Sequence, residues 1–138
     1  MRMILALVAT ATAFSPALAA GPVTMKTALS GAAEVPAGDP DGKGAASVTI
    51  DAAKGQVCYK LSVSGIDTAT MAHIHKGAVG VSGPVAVGLD APATGSSSGC
   101  KAAPPEVIAA ILATPSDYYV NVHTAAFPAG ALRGQLGK

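Results

Sequence analysis

The stretch Gln56-Val57-Cys58-Tyr59-Lys60-Leu61-Ser62-Val63-Ser64 alternates without a break. Val57, Tyr59, Leu61 and Val63 fall on one side; Cys58, Lys60, Ser62 and Ser64 fall on the other. Successive side chains of a strand point to opposite faces, so this is a half-buried β-strand with its cysteine toward solvent. Just upstream, Asp51-Ala52-Ala53-Lys54-Gly55 reads as a hairpin turn ending in glycine, with Ala45–Ile50 as the partner strand.

The same reading extends outward in both directions. Thr24–Leu29 is a first strand, and the Gly/Pro/Asp-rich segment Gly31–Gly44 a loop. Gly65-Ile66-Asp67 breaks the alternating strand. Met71–His75 follows as a strand with Ala72 and Ile74 toward the core, then a loop Lys76–Gly83 with three glycines. Pro84–Leu89 is a strand with Val85 and Val87 as its apolar face, and Asp90–Lys101 a Pro/Ser/Gly loop carrying Cys100. Pro104-Pro105-Glu106 opens a short helix with Val107, Ile108, Ile111 and Leu112 on one side, ended by Pro115. Tyr118–Thr124 is a strand, Ala125–Gly130 a loop, and Ala131–Leu136 the closing strand. About seven short strands separated by turn residues predict an all-β, antiparallel sandwich or small barrel with one helix in a connection.

Residues 1–20 stand apart from this pattern. Arg2 gives a positive start, Ile4–Val8 begins an apolar run reaching Phe14, and Ala17-Leu18-Ala19 has the small-x-small form of a cleavage site. The run is too short to span a bilayer, so residues 1–20 read as a signal peptide and 21–138 as one exported domain, periplasmic or secreted, without membrane insertion after cleavage. An uncleaved anchor is the alternative. Without Arg2 the Lys/Arg and Asp/Glu counts are eight each. The absence of a basic run, with few aromatics, argues against nucleic acid as a partner. The chain has two cysteines, Cys58 and Cys100. An even count in an exported protein favours a disulfide, closing a loop of about 42 residues and contributing roughly 4 kcal/mol by chain entropy. The competing reading is a metal thiolate.

All three histidines lie in predicted strands: His73 and His75 in Ala72-His73-Ile74-His75, and His123 in Tyr119-Val120-Asn121-Val122-His123-Thr124. His73 and His75 share a face, as do Asn121 and His123. If the two strands pair, the imidazoles converge on one spot, a set that suits zinc, copper or nickel with an open position, copper being preferred and zinc the alternative. Met71 shares the face of His73 and offers a weak thioether ligand that favours copper, particularly Cu(I). Asn121 and Thr124 can supply hydrogen bonds that fix the imidazoles. Equally, imidazoles can serve structure alone by holding a glycine-rich loop against a sheet. Glu34 and Arg133, isolated charges in apolar surroundings, are expected to pair and tie the domain start to its last strand. No Ser–His–Asp order has supporting context and there is no nucleophile elbow, so no catalytic residue is assigned.

Three stretches together resemble the CHRD domain, named after chordin. They are Leu29-Ser30-Gly31-Ala32-Ala33-Glu34-Val35-Pro36; His73-Ile74-His75-Lys76-Gly77 running on to Gly80 and Gly83-Pro84-Val85; and Tyr118–Thr124 followed by Phe127–Leu136. The resemblance spans Val23–Leu136, and Cys58 and Cys100 are similar to the cysteine pair of bacterial members. It implies an extracellular or periplasmic sandwich, immunoglobulin-like or similar to Cu,Zn superoxide dismutase. That enzyme also carries a His-x-His strand, but it needs more histidines and a bridging ligand, so a complete copper–zinc site is not expected here. In chordin the domains sit in a secreted antagonist of bone morphogenetic proteins. For this chain the expectations are a metal-sequestering or metal-delivering protein, an envelope interaction module whose partner is another protein, or a mononuclear copper oxidoreductase or dismutase-like enzyme.

Overall fold

A computed structural model describes residues 20–137. The signal-peptide reading therefore falls on a segment outside the described residues, apart from Ala20. The strands are β1 (Val23–Ser30), β2 (Lys43–Asp51), β3 (Gln56–Ser64), β4 (Ala69–Lys76), β5 (Val85–Leu89), β6 (Ser96–Ala102), β7 (Tyr118–Thr124) and β8 (Leu132–Gln135). A helix, α1 (Pro105–Ala113), lies between β6 and β7. The strands form one eight-stranded antiparallel sheet in the order β5-β4-β7-β8-β1-β2-β3-β6.

The sheet folds over at its middle. β8 and β1 share only the pair Ser30–Arg133, so the order divides into two four-stranded halves that face each other across the core. Val48, Ile50, Val57 and Leu61 come from one half, and Ala72, Ile74, Val120, Val122 and Leu132 from the other. Ile108 and Ile111 of α1 join them. The free edges also approach each other. The Tyr59 hydroxyl donates to Asp90 Oδ2 at 2.6 Å, and Lys101 reaches Asp90 Oδ1 at 2.7 Å, linking the end of β5 to β3 and β6. Among the described residues, the all-β antiparallel architecture with one short α-helix agrees with the sequence reading.

Two local expectations need correction. The segment expected to be a loop with Cys100 contains β6, which pairs with β3 over seven positions. Its sequence, Ser-Ser-Ser-Gly-Cys-Lys-Ala, has no apolar alternation because it is an edge strand that buries little. Its place is set by backbone pairing and by the Cys58–Cys100 disulfide, whose residues sit directly opposite each other. Val85 is not a core residue: it is 53% exposed, whereas Val87 is buried. The register shifts between Ile74 and His75, so Val87 pairs with Ile74 but Val85 pairs with His75. The bulge turns Val85 onto the outer face.

Candidate metal centre

Antiparallel pairing puts directly opposed residues on the same face. β4 pairs with β7, and β7 with β8, so the register generates rows across the outer face of this half. Met71 lies opposite His123. His73 lies opposite Asn121, which lies opposite Arg133. His75 lies opposite Tyr119, which lies opposite Gln135. The intervening residues Ala72, Ile74, Val120, Val122 and Leu132 point into the core. β7 is buried at every position, because the sandwich covers one face and loops cover the other.

The strand adjacency on which convergence depends is therefore met. His73, His75 and His123 offer one ligand atom each, all within 4.8 Å of one another. The ring centroids of His73 lie 5.3 Å from His75 and 5.1 Å from His123.

The protons are placed by backbone carbonyls. His75 Nδ1 is 2.8 Å from the Gly83 carbonyl, and His123 Nδ1 is 2.9 Å from the Pro128 carbonyl. A carbonyl only accepts, so each Nδ1 carries the hydrogen and each Nε2 carries a lone pair. His75 Nε2 is buried with no hydrogen-bond partner. His123 Nε2 lies 3.2 Å from His73 Nδ1 and 3.1 Å from Asn121 Oδ1. Imidazoles that ligate metals characteristically donate the other nitrogen to a carbonyl or carboxylate. A cation here would also satisfy the orphaned lone pair of His75, which otherwise costs about 1–3 kcal/mol. The donor set fits a transition-metal ion.

A family model described as the CHRD domain matches residues 25–136. The chain belongs to the CHRD domain family. No curated protein and no solved structure matches it.

In this CHRD domain the two covering loops are the histidine-binding elements. The 77–83 loop is fastened at several points. Arg133 donates to the carbonyls of Val81 and Ala78, both at 2.8 Å, and Gln135 donates to Gly77 at 2.6 Å. The Gly83 N–H donates to the Tyr119 hydroxyl at 3.2 Å. Gly83 has no room for a side chain, since a Cβ would overlap the Lys76 carbonyl. Tyr119 stacks on His75 at 4.9 Å on the β4 side and carries the Arg133 guanidinium 3.4 Å from its ring centre on the β8 side.

The remaining candidates divide. Asn121 reaches an imidazole directly. Thr124 does not: its hydroxyl accepts the Phe127 N–H at 3.1 Å and so braces the loop that supplies the Pro128 carbonyl. Met71 shares the histidine face but is 48% exposed, outside the loop cover. The expected ion pair between Glu34 and Arg133 is not formed; among the described residues the ion pair is Lys101–Asp90. Arg133 is instead committed to the loop carbonyls. Its charge still acts on Glu34, but burial outweighs it and raises the Glu34 pKa to about 7. Burial also lowers His73, helped by His123 and His75, and lowers His123. Neutral imidazoles are the form that binds metals.

Sequence reasoning passed over Tyr119 and Gln135. Both lie two positions from a residue already singled out, Asn121 and Arg133, and so share its face. The alternation that grouped Asn121 with His123 contained that signal. The carbonyls of Gly83 and Pro128 had none, because a backbone acceptor carries no residue identity.

Proposed function

We propose that this CHRD domain protein is exported, with residues 1–20 as a signal peptide and 21–138 as the mature domain. In that role it holds one transition-metal ion on His73, His75 and His123 for sequestration or delivery. Copper is preferred, with zinc as the alternative. The observation that carries the reading is the carbonyl-fixed tautomer of His75 and His123, which leaves both Nε2 atoms with lone pairs in a cluster whose ligand atoms all lie within 4.8 Å of one another. The disulfide supports an oxidising compartment. Among the described residues no helix is long and apolar enough to cross a membrane.

The test is elemental analysis and Cu²⁺ and Zn²⁺ titration of the mature, oxidised protein beside the His73→Ala/His75→Ala/His123→Ala variant. One equivalent bound by the wild type and lost in a folded triple variant is expected. An affinity unchanged by the triple substitution overturns the proposal. A second reading, a non-catalytic envelope module, draws on the fastening of the 77–83 loop by His75, Arg133 and Gln135. It predicts that the triple variant loses stability and that the wild type binds no stoichiometric metal.

A further inference from the structure

Asn121 sits between His73 and Arg133 in the middle row of the outer face. Its Oδ1 is 3.1 Å from His123 Nε2. The His123 proton is committed to Pro128 through Nδ1. Two lone pairs therefore face each other, and the hydrogen available to them is on His73 Nδ1, 3.2 Å from His123 Nε2. A single proton cannot satisfy His73, His123, Asn121 and the orphaned His75 Nε2 together. A cation at their centre can.

We propose that Asn121 Oδ1 is a fourth, oxygen donor to the ion held by the three imidazoles. This rests on the metal-binding reading above. An amide presents either its oxygen or its NH₂ to a neighbour, and the two orientations have opposite consequences. With NH₂ toward His123 Nε2, the amide would satisfy that lone pair as a donor and compete with any metal. The structure has the opposite orientation, with Oδ1 on the histidine side.

The donor type sets the class of ion. An amide oxygen beside three imidazoles suits borderline divalent ions, Cu²⁺ and Zn²⁺, whereas a thioether would favour Cu⁺. With Asn121 rather than the half-exposed Met71 as the fourth donor, the site discriminates for the divalent state.

The experiment uses the full mature chain. Cu²⁺ and Cu⁺ affinities, and the electron paramagnetic resonance spectrum of the Cu²⁺ form, are measured for wild type, Asn121→Ala, Asn121→Asp and Met71→Leu. Asn121→Ala is expected to weaken Cu²⁺ binding on the order of tenfold or more and change the copper hyperfine splitting. Asn121→Asp should restore affinity, and Met71→Leu should change nothing. Because Asn121→Ala perturbs a buried position, Zn²⁺ titration of the ¹³C-labelled wild type provides a reading without substitution: the Asn121 side-chain carbonyl resonance should move. An unmoved resonance, or an unchanged spectrum and affinity in folded Asn121→Ala while the triple histidine variant loses the metal, overturns the oxygen donor and leaves the three-histidine site standing. A wild type that binds no metal overturns both.

Discussion

The two halves of the sandwich have the same strand count and pairing but opposite outer faces. On β4, β7 and β8 the outer face is roofed by loops and holds His75, Asn121, His123 and Arg133 out of water. On β1, β2, β3 and β6 the outer face carries Lys26, Ser47, Lys60 and Ser98 in one cross-strand row, without a roof. The difference lies in the connections. The roofed half receives the 77–83 and 125–130 segments, each fastened by buried donors from the strands below, with the Thr124 hydroxyl accepting from the second segment as well. The bare half turns over the tight Asp51–Gly55 hairpin, and its polar edge strand is fixed by a covalent bond. One half is held by hydrogen bonds to loop backbone and the other by a disulfide. Only the first creates a sheltered set of lone pairs.

The largest expected effect is on the bare half. Cys58→Ser/Cys100→Ser should lose roughly 4 kcal/mol in denaturant titration, since the bond closes a 42-residue separation. Metal affinity of the remaining folded protein should be unchanged, and a parallel loss of affinity would break the division between halves. On the roofed half, Arg133→Ala removes the donors to Ala78 and Val81 and the contact with Tyr119. A loss of about 3 kcal/mol is expected, with hydrogen exchange accelerated in the 77–83 loop first. Uniform acceleration across both halves would contradict it.

Saturation with Cu²⁺ at a hundredfold excess over Kd should add about 2.7 kcal/mol to native stability, read as a raised Tm. The gain should disappear in acid, where the imidazoles take protons. The folded pKa values of His73 and His123 lie below the ordinary 6.5. Their contribution to metal-free stability is therefore present above 6.5 and lost as pH falls through the lowered values. Glu34 has the opposite sign. Its pKa is raised from 4.5 to about 7, so its contribution is present below 4.5 and lost as pH rises through 7. After allowance for solvent screening, a decline of roughly 1–2 kcal/mol is expected across that window, and it should be absent in Glu34→Gln. The smallest effect belongs to the bare face: Lys26→Ala and Lys60→Ala should each stay within about 0.5 kcal/mol and leave metal binding untouched.

Much of this protein was legible one residue at a time. The uninterrupted alternation of Gln56–Ser64 fixed a strand and its buried face, because a strand repeats every second residue whatever surrounds it. The same rule put His73 with His75 and Asn121 with His123. β6 was not legible, because an edge strand of serines and glycine carries no burial signal and takes its position from its neighbour. Val85 was misplaced because a bulge changes the face, and a bulge is a property of two strands. The Glu34–Arg133 pairing failed for a similar reason. Charge complementarity is visible in a sequence, but the loop carbonyls that claim Arg133 are not.

The sequence by itself determined the residue periodicity, the family stretches and the set of chemically capable side chains. Only the tertiary structure decided that β4 lies beside β7, which brings His73, His75 and His123 together. It also decided which imidazole nitrogen carries a proton, through the carbonyls of Gly83 and Pro128. The physical reason is range: alternation acts between nearest neighbours, whereas strand order and loop placement depend on contacts between residues 50 apart in the chain.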